Sequence, residues 1–161
     1  MHTASLRGWA VRWTYAAIAG HLAVGLLLPW VADAALFADY HRGIESAFWT
    51  GPAPDAARAQ QLWWIALFGP TVQGAAVWMG ALAWMGDRQR NAFAWGALIA
   101  GIVLWAPQDM LISLRAGCWR HVWLDAFAVA AMLPPLFYLY FTDRRAAAAL
   151  AKAAQADRSA P

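Results

Sequence analysis

Four apolar runs, each long enough to cross a bilayer, constrain this chain more than any other feature: about Trp9 to Val31, Leu62 to Gly86, Ala92 to Leu114, and Trp119 to Thr142. A hydrocarbon core about 30 Å thick takes roughly 20 residues of helix, and a segment in lipid must satisfy its own backbone polar groups. None of the four alternates as a strand does. The reading is an all-α integral membrane bundle of four transmembrane helices in a single domain, residues 1–161. Only 13% of the residues are charged, about half the share in a soluble domain. Too little sequence lies outside the runs for a sizeable extramembrane domain.

The breaks between runs are ordinary helix punctuation. Asp55 after Pro54 marks the start of the second helix, whose apolar part is 62–86, and Gly86-Asp87 and Ala116-Gly117 are the expected turns after the second and third spans. Basic residues set the orientation. Arg7, Arg12, Arg88, Arg90, Arg144, Arg145, Lys152 and Arg158 fall on one side, against Arg42, Arg58, Arg115 and Arg120 on the other. Eight against four places both termini, and the tail 143–161, in the cytoplasm of a multi-pass cell-membrane protein. Residues 1–34 also carry the marks of a secretory signal, with Ala32 and Ala34 at a possible cleavage site. An uncleaved first helix is the expectation, because its apolar part is long for a signal core.

The outer loop, 32–61, has a pattern of its own. Leu36, Tyr40, Ile44 and Phe48 recur every four residues, which fits a short amphipathic helix in the outer interface. It either covers the mouth of the bundle or acts as a lid. The net charge of +3 is spread in short groups rather than gathered on one face, so no nucleic-acid partner is expected. The single cysteine, Cys118, excludes an intrachain disulfide or a CxxC pair.

Few charges lie inside the runs, and a charge at membrane depth usually faces a cavity or a partner. Asp109 and Asp125 sit about 8 to 9 Å below the outer end of consecutive helices joined by a tight turn. His121 precedes Asp125 by four residues and shares its face. His41 and Glu45 in the loop, and Arg115 and Arg120 at the turn, lie close to the same level. His21 and Gln73 fall deeper, near the midplane. Together they describe a polar shaft opening outward, with His21, Gln73, Asp109, His121 and Asp125 as its ligand-binding candidates. Asp109, Asp125 and His121 are the candidates for proton transfer, since burial and like charge separate carboxyl pKa values. Each residue also has a structural explanation. Asp125 can pair with Arg115 or Arg120, Asp109 can serve backbone freed by Pro107, and His21 and Gln73 can bond each other across helices. Seven of the tryptophans lie toward the outer end, as an interface belt or the lining of a pocket. Pro70, Pro107 and the Pro134-Pro135 pair bend their helices and favour an enclosed cavity.

His21 in the first helix, the aromatic outer loop, Gln73 within Gly69-Pro70-Thr71-Val72-Gln73, and a last helix interrupted at Pro134 resemble the emopamil-binding and sigma-receptor-like group of membrane proteins. The resemblance implies a ligand pocket for a small apolar or amphipathic molecule. That group carries acidic residues near the end of its first helix and early in its second, where this chain has Pro29 and Gly69. Asp109 and Asp125 stand in from other helices.

Two kinds of function follow. One is a pocket for a small apolar or amphipathic ligand, with or without proton transfer. The other is a non-enzymatic membrane subunit whose buried polar groups serve packing against a protein partner or a second copy. A zinc site from His41, His121, Asp109 and Asp125 has suitable ligand types. Bis-histidine haem would need His21 and His121, about 12 Å apart in depth. No spacing is diagnostic of either, so no cofactor and no metal is expected. No phosphate loop, nucleophile elbow, HExxH or EF-hand loop is present.

Overall fold

The computed structural model describes residues 2–159, which form five α-helices and no strand. They are α1 (His2–Val31), α2 (Ala38–Phe48), α3 (Asp55–Gln89), α4 (Ala92–Arg115) and α5 (Trp119–Ser159), with a single 3-10 turn, Ala35–Phe37, leading into α2. Four of the helices, all but α2, are long and apolar enough to cross a membrane. α1 packs chiefly on α3 and α4 on α5, while α1 against α5 and α3 against α4 close the ring.

The packed core is narrow and sits toward the end that carries the chain termini. Ala10 and Ile18 of α1, Ala83 of α3, Trp95 and Leu98 of α4, and Met132, Leu136 and Leu139 of α5 form it. The outward surface is apolar: Phe93, Trp78, Phe127 and Leu104 are each about two-thirds exposed or more.

Prolines inside the helices do not break them, and two explain how neighbours are joined. A proline lacks the N–H that would bond the carbonyl four residues earlier. Pro29 thus frees the Gly25 carbonyl, which accepts a 2.9 Å bond from the Gln73 amide of α3. Pro135 frees the Ala131 carbonyl, which accepts a 2.7 Å bond from the Trp13 indole of α1. Side chains from adjacent helices replace the missing donors. At the first crossing the backbones nearly touch: a Cβ on Gly69 would lie 2.5 Å from the Pro29 ring.

The connections differ from expectation at one place. α3 runs through Gly86-Asp87 to Gln89 and turns at Arg90, whose φ of 51° is left-handed. Gly86 is instead a seat for the buried Trp95 ring, 2.4 Å from where a Cβ would stand. Asn91 then caps α4, its side-chain oxygen accepting from the N–H groups of Phe93 and Ala94. The second turn is as expected. Gly117 has φ 74°, and Cys118 N–H to Ser113 O at 2.8 Å with Gly117 N–H to Leu114 O at 3.0 Å complete a Schellman motif.

Candidate functional site

The Schellman turn folds α5 back along α4 and sets Asp109 opposite His121 and Asp125. His121 Nε2 lies 3.5 Å from Asp109 Oδ1 and 3.8 Å from Asp125 Oδ2. The three ligand-type atoms all fall within 4.8 Å of one another. These separations exceed hydrogen-bond lengths, so the three groups face each other without closing on each other. The Asp125 side chain is only 6% exposed, and its Oδ2 is buried with no hydrogen-bond partner. A buried carboxylate oxygen is normally satisfied.

The other polar atoms of the cluster are held from behind. The Trp105 indole N–H, one turn earlier in α4, donates to Asp109 Oδ2 at 3.0 Å. Tyr40 of α2 places its hydroxyl 2.8 Å from His121 Nδ1. Two carboxylates beside Nε2 favour the tautomer with the proton there, so the Tyr40 O–H donates to Nδ1. Burial, and then the nearby Cys118, Asp125 and Asp109, push the Tyr40 phenol up to about 12, which keeps it a hydroxyl at neutral pH. Cys118, at the turn, is also pushed up by burial.

Helix α2 is fastened over this end. His41, fully buried, donates Nε2–H to the Ala32 carbonyl at 2.7 Å and accepts at Nδ1 from the Gln61 amide at 2.8 Å. The Ala32 carbonyl, just past the end of α1, lacks a partner within that helix. Arg58 of α3 bonds both Asp33, at 3.3 Å, and Glu45. Of the predicted amphipathic stripe, Tyr40 and Ile44 turn inward, whereas Leu36 and Phe48 are exposed.

Asp109, His121 and Asp125 are therefore brought together, and the remaining candidates are not. Arg120 reaches Asp39, at 4.0 Å, rather than Asp125, and its side chain lies over Gly43. Arg115 makes no ion pair among the described residues, so no arginine neutralises the cluster. His41 and Glu45 serve the attachment of α2. His21 donates Nδ1–H to Ala17 O of its own helix at 2.9 Å, and Gln73 bonds Gly25 rather than His21. Trp105 and Tyr40 were legible only as belt and stripe residues.

A second polar assembly, at the opposite end, was not singled out in the sequence. Asp143 of α5 has no exposure and accepts from Arg7 Nε at 3.1 Å and Nη2 at 3.0 Å, Arg90 Nη1 at 3.0 Å and the Trp95 indole at 3.0 Å. Arg7 Nη1 also bonds Asp87 Oδ1 at 3.1 Å. One carboxylate thus gathers α1, α4, α5 and the α3–α4 turn, and Arg7 brings in α3. Both Asp143 oxygens accept from these donors, which makes the assembly a clasp between helices. An apolar groove of about 300 Å³ lies between α1 and α5 nearby, lined by Trp9, Trp13, Pro134 and Tyr138 among others.

Chemically, the Asp109–His121–Asp125 cluster offers two carboxylates and one imidazole with no cation opposite them. It can accept a positive charge or pass a proton among its three groups. Comparison with protein families, curated proteins and solved structures finds no match for this chain.

Proposed function

We propose that the chain is a multi-pass membrane protein, with both termini cytoplasmic, whose α2 end binds a small amphipathic ligand through a positively charged group. The observation that carries this reading is the meeting of Asp109 and Asp125 at His121 with neither carboxylate paired to an arginine. Two buried or half-buried acids without a counter-charge are costly at membrane depth, and a cationic head relieves that cost. Embedding in lipid is supported by the four apolar helices and by the large apolar side chains on the outer surface. Exposed Leu36, Phe48 and Trp49 suit α2 to the outer interface. Kinship with the emopamil-binding and sigma-receptor-like group is part of this proposal at the level of a helical bundle with a pocket near one end.

The test uses a dansylated alkylamine titrated into the purified chain in zwitterionic nanodiscs, read by energy transfer from tryptophan. Asp109→Asn and Asp125→Asn are each expected to keep the helical spectrum and to weaken binding at least tenfold. Loss of folding without a prior effect on binding would favour the second reading, a packing and assembly subunit. The Gln73 and Trp13 bonds to proline-freed carbonyls support that role for those two residues.

A further inference from the structure

The donor atoms of the cluster also suit a second kind of cation, one that takes the place of a ligand's charged head. We infer that Asp109 Oδ1, His121 Nε2 and Asp125 Oδ2 form a three-ligand site for a divalent metal ion of the zinc class. The inference rests on the reading above, that the cluster accepts a cation. In a tetrahedral zinc site with metal–ligand bonds of about 2.0–2.2 Å, neighbouring donor atoms stand about 3.4 Å apart. The two distances from His121 Nε2, 3.5 and 3.8 Å, are already close to that edge. The third is at most 4.8 Å, so small rotations of the two aspartates complete the triangle.

The surroundings point the same way. Each half-exposed ligand has its second polar atom held by a neighbour: Trp105 bonds Asp109 Oδ2, leaving Oδ1 inward, and Tyr40 bonds His121 Nδ1, leaving Nε2 inward. Metal-binding histidines and carboxylates are commonly oriented in this manner. The third donor, Asp125 Oδ2, is the buried oxygen without a partner. An acidic cluster alone would say little, but a buried unpartnered oxygen aimed at a correctly spaced imidazole is an independent feature. On binding, the imidazole proton shifts from Nε2 to Nδ1, and Nδ1–H then donates to the Tyr40 oxygen. The charge is balanced, since two carboxylates meet a dication. One imidazole among the ligands favours zinc and its neighbours over magnesium or calcium, which prefer six or more oxygens. Three protein ligands also leave a fourth position for water or a substrate.

The experiment is calorimetric titration of Zn²⁺ into the full chain in nanodiscs, repeated with Co²⁺ to read the visible bands of a tetrahedral site. One ion per chain is expected. Asp125→Asn and His121→Gln should each weaken it at least a hundredfold, and Tyr40→Phe about tenfold, with helicity unchanged. Absence of Zn²⁺ binding by the folded wild-type chain, or binding that survives both ligand substitutions, overturns the metal site. If the alkylamine still binds and depends on Asp109 and Asp125, the cation-accepting reading stands while the metal assignment falls. If neither probe binds, both fall. Should one ligand variant fail to fold, the other and Tyr40→Phe still decide the question.

Discussion

Asp125 and Asp143 belong to the same helix and are both nearly without exposure, yet one has an oxygen with no partner and the other accepts four hydrogen bonds. Removing one partner of a buried ion pair strands the other charge, at a cost of about 3–5 kcal/mol. Here Arg7 keeps Asp87 and the Arg90 side chain is 58% exposed, so Asp143→Asn should lower unfolding stability by less, about 1–3 kcal/mol. Asp125→Asn should leave it unchanged or raise it, because it removes a buried charge that nothing compensates. Thermal unfolding of the two variants in detergent, followed by circular dichroism, compares them directly. Tyr40 supplies a pH signature. Its phenol is held near 12 in the fold against an ordinary 10, so below pH 10 its contribution is intact. Between pH 10 and about 12 the unfolded phenol ionises first and stability falls. Tyrosinate absorbance at 295 nm should lose a component near pH 12 in Tyr40→Phe. The site was legible as far as spacing could carry it: matched depth across a tight turn and a four-residue interval brought Asp109, His121 and Asp125 together on paper as they are in the structure. Tyr40 and Trp105 were not legible as site residues, because their role depends on where α2 and the α4 indole point. Asp143 was read as the first residue of a tail, since nothing local in the sequence links it to Arg7.

At the scale of elements, the four long helices could be read because hydropathy and length act over twenty residues at a time. Several of their ends could be read as well: α3 begins at Asp55 as expected, ahead of its apolar run, and α5 runs on through its alanine-rich tail, because alanines are good helix formers. The end of α3 could not. Gly86 was expected to end a helix and instead receives an indole, a tertiary contact invisible to local rules. Gly86→Ala should push Trp95 from its seat and from Asp143, costing about 1–3 kcal/mol, measured by unfolding in detergent and by a shift in tryptophan emission. The proline devices make a sharper prediction. Gln73→Leu leaves the buried Gly25 carbonyl without a donor, a loss of about 1–3 kcal/mol. In a Pro29→Ala background the backbone N–H returns and that loss should shrink toward zero. A double-mutant cycle that shows no coupling would mean that the Gln73 bond is incidental.

Across the whole molecule the two ends are built differently, with the packed core and the clasp at the terminal end and the Asp109–His121–Asp125 cluster under α2 at the other. Orientation in the membrane is testable through the sole cysteine. Cys118 lies at the α2 end, and its raised pKa makes thiolate scarce at neutral pH. A membrane-impermeant maleimide should therefore label it in intact cells, slowly at pH 7 and faster at pH 8.5. An Arg158→Cys probe in a Cys118→Ser background should react only after lysis. The reverse pattern would invert the topology. The clasp also bears on how the protein is made. Arg7 leaves the ribosome well before its partners, since Asp87 and Asp143 follow 80 and 136 positions later. α1 must therefore wait with its guanidinium unmatched until α3 arrives, and the bundle cannot lock until α5 is translated.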